Sequence, residues 1–151
     1  GVQTCALPIS GPLLLIMANS VTTQVLVDGP RNYVIKVDGV LDTSYVSVAT
    51  LIDPATLSPI DVFGQLPSTV RIDRIFFDVE DTLAVTLWWD ATADVRIADL
   101  AGRGKMQARQ YGGLTNNAGA GKTGKVLYST QGWASGTTLS FTLTLECVKQ
   151  L

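Results

Sequence analysis

The residues able to do chemistry in this chain are few, and histidine is not among them. Its absence removes the commonest general base and the commonest metal ligand together. Two cysteines, Cys5 and Cys147, are too few for a disulfide framework or a cysteine zinc site. Catalysis would fall to Asp, Glu, Lys, Tyr or Cys147, and no spacing among them suggests an acid/base pair. The chain is therefore expected not to be an enzyme, and no cofactor or metal ion is expected.

Three constellations still invite a chemical interpretation. Ala118-Gly119-Ala120-Gly121-Lys122-Thr123 approaches the phosphate-cradling pattern G-x-x-x-x-G-K-[ST]. Asn116 stands where its first glycine belongs. Lys125-Val126-Leu127-Tyr128 then reads as a strand, where such a loop must open a helix. A flexible glycine-rich loop between strands is expected instead. Asp78, Glu80 and Asp81 gather at a turn, with Asp90 and Asp94 close in sequence. A hard cation needs several converging oxygens, and the glycine and distal Glu of a calcium loop are missing, so exposed turn carboxylates are expected. A paired-carboxylate glycosidase finds no support in the spacing either.

Trp88, Trp89 and Trp133 could stack on sugars. Adjacent residues of a strand point to opposite faces, so Trp89 joins the apolar set and Trp88 faces outward. An outward tryptophan is either a ligand platform or an anchor at a protein interface, and the interface is favoured here. Charge is segregated. Residues 17–95 hold eleven acidic and four basic side chains, whereas residues 96–125 hold six basic ones against Asp99 alone. Opposed segments suit a chain that meets its own copies or an acidic neighbour, although a solvated loop with scattered charges fits equally well. Arg103, Lys105 and Arg109 form the expected basic side of such a contact, and Trp88 its anchor. In a chain of pI ≈ 4.9 the basic segment is a weak footprint for nucleic acid, and no specific nucleic-acid partner is expected.

The elements that must position these residues are strands. Val25-Leu26-Val27 stops at the turn Asp28-Gly29-Pro30. Tyr33, Ile35 and Val37 alternate with polar neighbours, and Asp38-Gly39 could close a tight hairpin. A strand around Tyr45 to Ile52 ends at Asp53-Pro54. Pro54, Pro59 and Pro67 make 53–68 a long irregular connection. Val70 and Ile72 share one face, as do Ile75, Phe77 and Val79, but parity changes at Arg74, which is the mark of a β-bulge. Glu80-Asp81-Thr82 turns the chain into Leu83, Val85, Leu87 and Trp89. Leu139, Phe141, Leu143, Leu145 and Cys147 then alternate with Ser140, Thr142, Thr144 and Glu146, a half-buried antiparallel strand with an inert core thiol. Val95 to Met106 comes nearest a helical period, but Gly102 and Gly104 interrupt it.

With 151 residues, 46% hydrophobic and 16% charged, and a mean hydropathy of +0.28, the chain can fill one core. About eight strands with irregular loops predict an all-β antiparallel sandwich over residues 17–151, jelly-roll-like, with strand order left open. Residues 1–16 carry no charge, and the apolar run Leu13 to Met17 is far short of the ~20 residues that span a bilayer. GVQTCALPI resembles the conceptual translation of a sequencing adapter fused to a reading frame from environmental DNA. Met17 is accordingly expected to be the native first residue, after a non-native or disordered leader.

Arg71-Ile72-Asp73-Arg74-Ile75, Leu87-Trp88-Trp89-Asp90-Ala91-Thr92, Gly102-Arg103-Gly104-Lys105 and Gly112 to Gly119 resemble stretches of small structural proteins of tailed bacteriophage particles. The resemblance implies a non-enzymatic virion component, most concretely a capsid decoration or cement protein. Such a protein would be a homo-oligomer (dimer or trimer) that binds capsid or other virion proteins. A head–tail joining or tail protein shares much of that description. The alternative of another class is a carbohydrate-binding β-sandwich module. The resemblance assigns no functional residues.

Overall fold

The computed structural model describes residues 19–151, so the expectations for residues 1–16 and for Met17 lie outside the described part. Nine strands follow in order: β1 (Ser20–Asp28), β2 (Asn32–Leu41), β3 (Ala49–Ile52), β4 (Thr69–Val79), β5 (Ala84–Trp89), β6 (Val95–Ala101), β7 (Arg103–Gln107), β8 (Val126–Gln131) and β9 (Leu139–Gln150). They form an antiparallel sandwich of two sheets, β1-β2-β9-β4-β7 and β3-β8-β5-β6. From β2 to β9 every connection changes sheet except β5–β6, which are neighbours in one sheet. That winding is the double Greek key of an eight-stranded jelly roll, with β1 added as a hairpin partner of β2.

The period-two pattern explains the core. Tyr33, Ile35 and Val37 on β2 and Phe141, Leu143, Leu145 and Cys147 on β9 face inward from the larger sheet. Val85, Leu87 and Trp89 on β5 with Val126 and Tyr128 on β8 meet them from the smaller one. Tyr128 and Phe141 touch across the gap with ring centroids 6.3 Å apart. The expected bulge is present. Ile72 pairs with Cys147 and Arg74 with Glu146, which leaves Asp73 as the extra residue in β4. Inward parity therefore passes from Val70 and Ile72 to Ile75 and Val79 without a polar group entering the core.

Two local expectations are corrected. Asp38-Gly39 does not turn; both residues lie inside β2, paired with Thr142 and Phe141. Glycine is needed at position 39 because a Cβ there would enter the Phe141 ring. The strand expected from Tyr45 is reduced to Ala49–Ile52, although Val46 still exchanges hydrogen bonds with Thr130. Val95 to Met106 becomes β6 and β7, and Gly102, at φ 71, carries the chain from one sheet to the other. The connection at 53–68 is irregular as expected, apart from a 3-10 turn at Pro54–Thr56 whose Ala55 N–H donates to Asp53 Oδ1 at 3.1 Å.

Gly39→Ala is expected to destabilise the protein by about 1–3 kcal/mol, the usual cost of overpacking a filled core. Urea denaturation measures it. Phe141→Leu in the same background should recover part of the loss, because the clash is with the ring alone.

Candidate functional site: a basic face and an apolar turn

The register of the larger sheet lays out its outer face row by row. Arg103 lies beside Asp78 and Thr142, and Lys105 beside Phe76 and Thr144. Gln107 lies beside Arg74 and Glu146. The bulge at Asp73 breaks strict alternation and brings Arg71, Asp73 and Arg74 to this same face. The chain after β7 then folds over them. Ala108 N–H donates to the Asp73 carbonyl at 2.8 Å, and Ile72 and Leu114 exchange backbone bonds at 2.9 and 2.7 Å. Gly113, at φ 81, lies against the Asp73 carboxylate and the Arg71 stem, where a Cβ would come within 2.6 Å of Asp73 Oδ1.

A cleft of about 360 Å³ opens beside the bulge. Val27, Val34 and Val148 contribute apolar wall, and Arg31, Arg71 and Arg109 contribute cationic wall. Arg71 Nε meets Asp73 Oδ1 at 2.9 Å, and Arg74 meets Glu146 at 3.1 Å. Those pairs consume both carboxylates. The Arg31 and Arg109 side chains have no ion-pair partner among the described residues. Arg109 also borders a second cleft with Arg74, whose buried Nε has no hydrogen-bond partner. The surface thus carries an excess of cations beside an apolar wall, suited to carboxylate-bearing segments.

Trp88 does not belong to it. Its side chain projects from the outer face of the smaller sheet, on the far side of the core from Arg103, Lys105 and Arg109. The outward direction matches expectation, but the ring is half-buried. Its indole N–H donates to Ser129 Oγ at 2.8 Å, and the Arg96 guanidinium covers the ring at 5.4 Å. Of the four expected contact residues, Arg103, Lys105 and Arg109 therefore share one side of the sandwich, with Arg103 and Arg109 at different clefts, and the tryptophan on the other side is already engaged. A sugar stacking on Trp88 would first have to displace Arg96.

Arg103 is 84% exposed and reaches Asp78 at 3.3 Å, on the wall of an open cleft of about 550 Å³ that Glu80, Asp81 and Ser140 share. Asp90 and Asp94 lie elsewhere and hold loops in place. Asp90 accepts from Thr123 Oγ1 at 2.6 Å, and Asp94 from Ala91 N–H at 3.0 Å. No group of three or more His, Cys, Asp or Glu is placed to hold a metal ion among the described residues. The glycine-rich loop leads into β8, and it is docked: Thr92 N–H donates to the Ala120 carbonyl, and a Cβ on Gly121 would enter the Thr92 side chain. Cys147 is buried, and burial pushes its thiol far up, with the Asp73 and Glu146 charges adding to the effect. It is inert at neutral pH.

A second surface was missed in the sequence. Val62 is 92% and Phe63 90% exposed, at the tip of a turn inside the 53–68 connection. The turn is built, not slack. Asp61 Oδ1 accepts from Phe63 N–H at 2.9 Å and Gln65 N–H at 3.0 Å, and Ile60 N–H donates to the Gln65 carbonyl at 2.8 Å. Gly64 closes it at φ 85. Its root is tied to the sandwich through Asp28, which accepts from the Ser58 N–H and hydroxyl. Lys149, whose side chain is fully buried, donates to Asp28 and to the Ser58 carbonyl. The only sequence signal was Asp61-x-x-Gly64 around two apolar residues.

Family models, curated proteins and solved structures were compared with the chain, and none matches.

Burial pushes the Asp28 carboxyl up, but the hydrogen bonds from Lys149 and Ser58 outweigh it and hold Asp28 below the usual carboxylate range. A carboxylate depressed by folding stabilises the protein above its unfolded pKa, and that contribution fades as pH falls through the folded value. The protection of the amides at residues 57–66, measured against their intrinsic exchange rates, should therefore fall in acid, below roughly pH 4. Asp28→Asn should lower it already at neutral pH and flatten the acid dependence.

Proposed function

We propose that this chain is a non-enzymatic structural component of a tailed bacteriophage particle, most concretely a capsid decoration or stabilising protein, located on the virion. It acts by contact alone, with no bond made or broken. The observation that carries this is the Val62–Phe63 turn: an aromatic and an aliphatic side chain held in solvent by a closed hydrogen-bond set. An anchor ordered before binding loses little entropy when it enters a partner's pocket. The basic outer face of the larger sheet supplies the second half, drawing the protein toward an acidic shell surface. The jelly roll is consistent with such a role, since viral capsid domains share the architecture, as do lectins. Fold alone does not choose between them. The Arg96-covered state of Trp88 favours the protein partner over the glycan.

The test is co-sedimentation of the full chain with shells assembled from the major capsid protein encoded on the same stretch of DNA. Phe63→Ala should weaken binding by about thirtyfold, corresponding to the ~2 kcal/mol of a hot-spot anchor. Arg103→Glu with Lys105→Glu should weaken it further and flatten its salt dependence. Unchanged occupancy for both variants would remove the proposal, and a glycan-dependent change in Trp88 fluorescence would move the function to carbohydrate binding.

A further inference from the structure

Each sheet of the sandwich has two edges, and three of the four are protected. β7 is five residues long and carries Arg103 and Lys105. β6 carries Arg96 and Asp99 and is broken by a bulge at Ile97. β3 has four residues. Shortness, charge and bulges are the devices by which proteins stop sheet edges from pairing with other chains. The fourth edge lacks most of them. β1 runs nine residues, Ser20–Asp28, without charge or proline before Asp28. Its one irregularity is the bulge at Leu26, so Ser20 to Val25 keep a regular ladder with β2.

β1 also lies outside the core. Val25, Leu26 and Val27 are each about half exposed, although β2 beside them is buried along one whole face. One side of β1 is bonded to β2, and no strand among the described residues pairs with the other. The free row of N–H and C=O groups calls for a strand, not a helix or a small molecule.

We propose that the free edge of β1 pairs antiparallel with β1 of a second copy, joining two five-stranded sheets into one of ten strands. The partner is identified by what the edge demands: an extended, uncharged strand with its own unpaired edge. Among the described residues only β1 has that character, so the complement of β1 is β1 itself. Thr22, Thr23 and Gln24 bring no like charges together at the centre of such a pairing. A two-fold arrangement uses the same patch on both subunits and closes at two, so it yields a dimer and not a fibre. The pairing gives the oligomer of the proposed function a concrete form, yet it stands on the edge alone.

Sedimentation equilibrium of the full chain tests it. The wild-type protein should be a dimer. Thr22→Lys with Leu26→Lys should be monomeric and still melt in one cooperative transition, because Thr22 lies beside Asp38 and Leu26 is unpaired in the ladder. Leu26→Val should remain dimeric. A wild-type monomer overturns the proposal, and so does a double variant that stays dimeric with its cooperative melt intact. If the double variant unfolds, amide exchange on the wild type decides. Protection, lost on dilution, of those Ser20–Val25 amides that point away from β2 supports the pairing, and a protection of these amides that does not change with concentration overturns it. A dimer that ignores shells leaves this pairing standing, and a monomer that binds them removes it alone.

Discussion

One extra residue in β4 reconciles two demands that a regular strand could not meet. The strand must keep Val70, Ile72, Ile75 and Val79 against the core along eleven residues. It must also keep three ionic side chains, Arg71, Asp73 and Arg74, out of that core. Strict alternation fails because the intervals do not share one parity. The bulge at Asp73 resets the phase and places the ionic groups together on the outer face. It also exposes a backbone carbonyl to Ala108, which docks the segment bearing Arg109. Core continuity and the basic face thus come from the same irregularity.

Electrostatics divides along similar lines. The ion pairs at the bulge are part-exposed and contribute modestly, because water screens them. Lys149 differs, since its side chain is fully buried and its charge is tolerated only through Asp28 and the Ser58 carbonyl. Removing one partner from such a pair is far more costly than exchanging both for apolar groups. The pair joins the end of β1, the end of β9 and the root of the apolar turn. A buried charge at that junction fixes one position for three segments, which simple apolar contact would leave free to slide.

Most of the fold was legible because it is written in alternation. The β9 pattern, the bulge and the turns at Asp28 and Glu80 are local features, and the residues that carry them are neighbours in sequence. What failed was non-local. Asp38-Gly39 looks like a turn to its neighbours, but Phe141, about a hundred residues later, decides the matter by filling the space above Gly39. Trp88 and Arg103 are close in sequence and stand on opposite sheets, because Gly102 carries the chain across. Trp88 was correctly turned outward, yet its cover, Arg96, comes from β6, the neighbouring strand of the same sheet. Phe63 sat among prolines that marked its segment as a spacer, and only the Asp61 hydrogen bonds reveal it as a support.

For the proposed contact with a shell, repetition would be the source of affinity. A single apolar tip and a face whose unpaired cations are a few exposed side chains, Arg31, Lys105 and Arg109 among them, make a weak contact. Two such sets fixed on one ten-stranded sheet would engage a periodic surface together, and the second contact would form at the effective concentration set by the first. That gain requires the two sets to keep a constant spacing. A continuous hydrogen-bonded sheet supplies it better than a flexible linker, whose end-to-end distance fluctuates. In the proposed dimer the uncharged edge of β1 would be the element that turns a modest surface into a selective one, because only a target with matching spacing would collect both contacts.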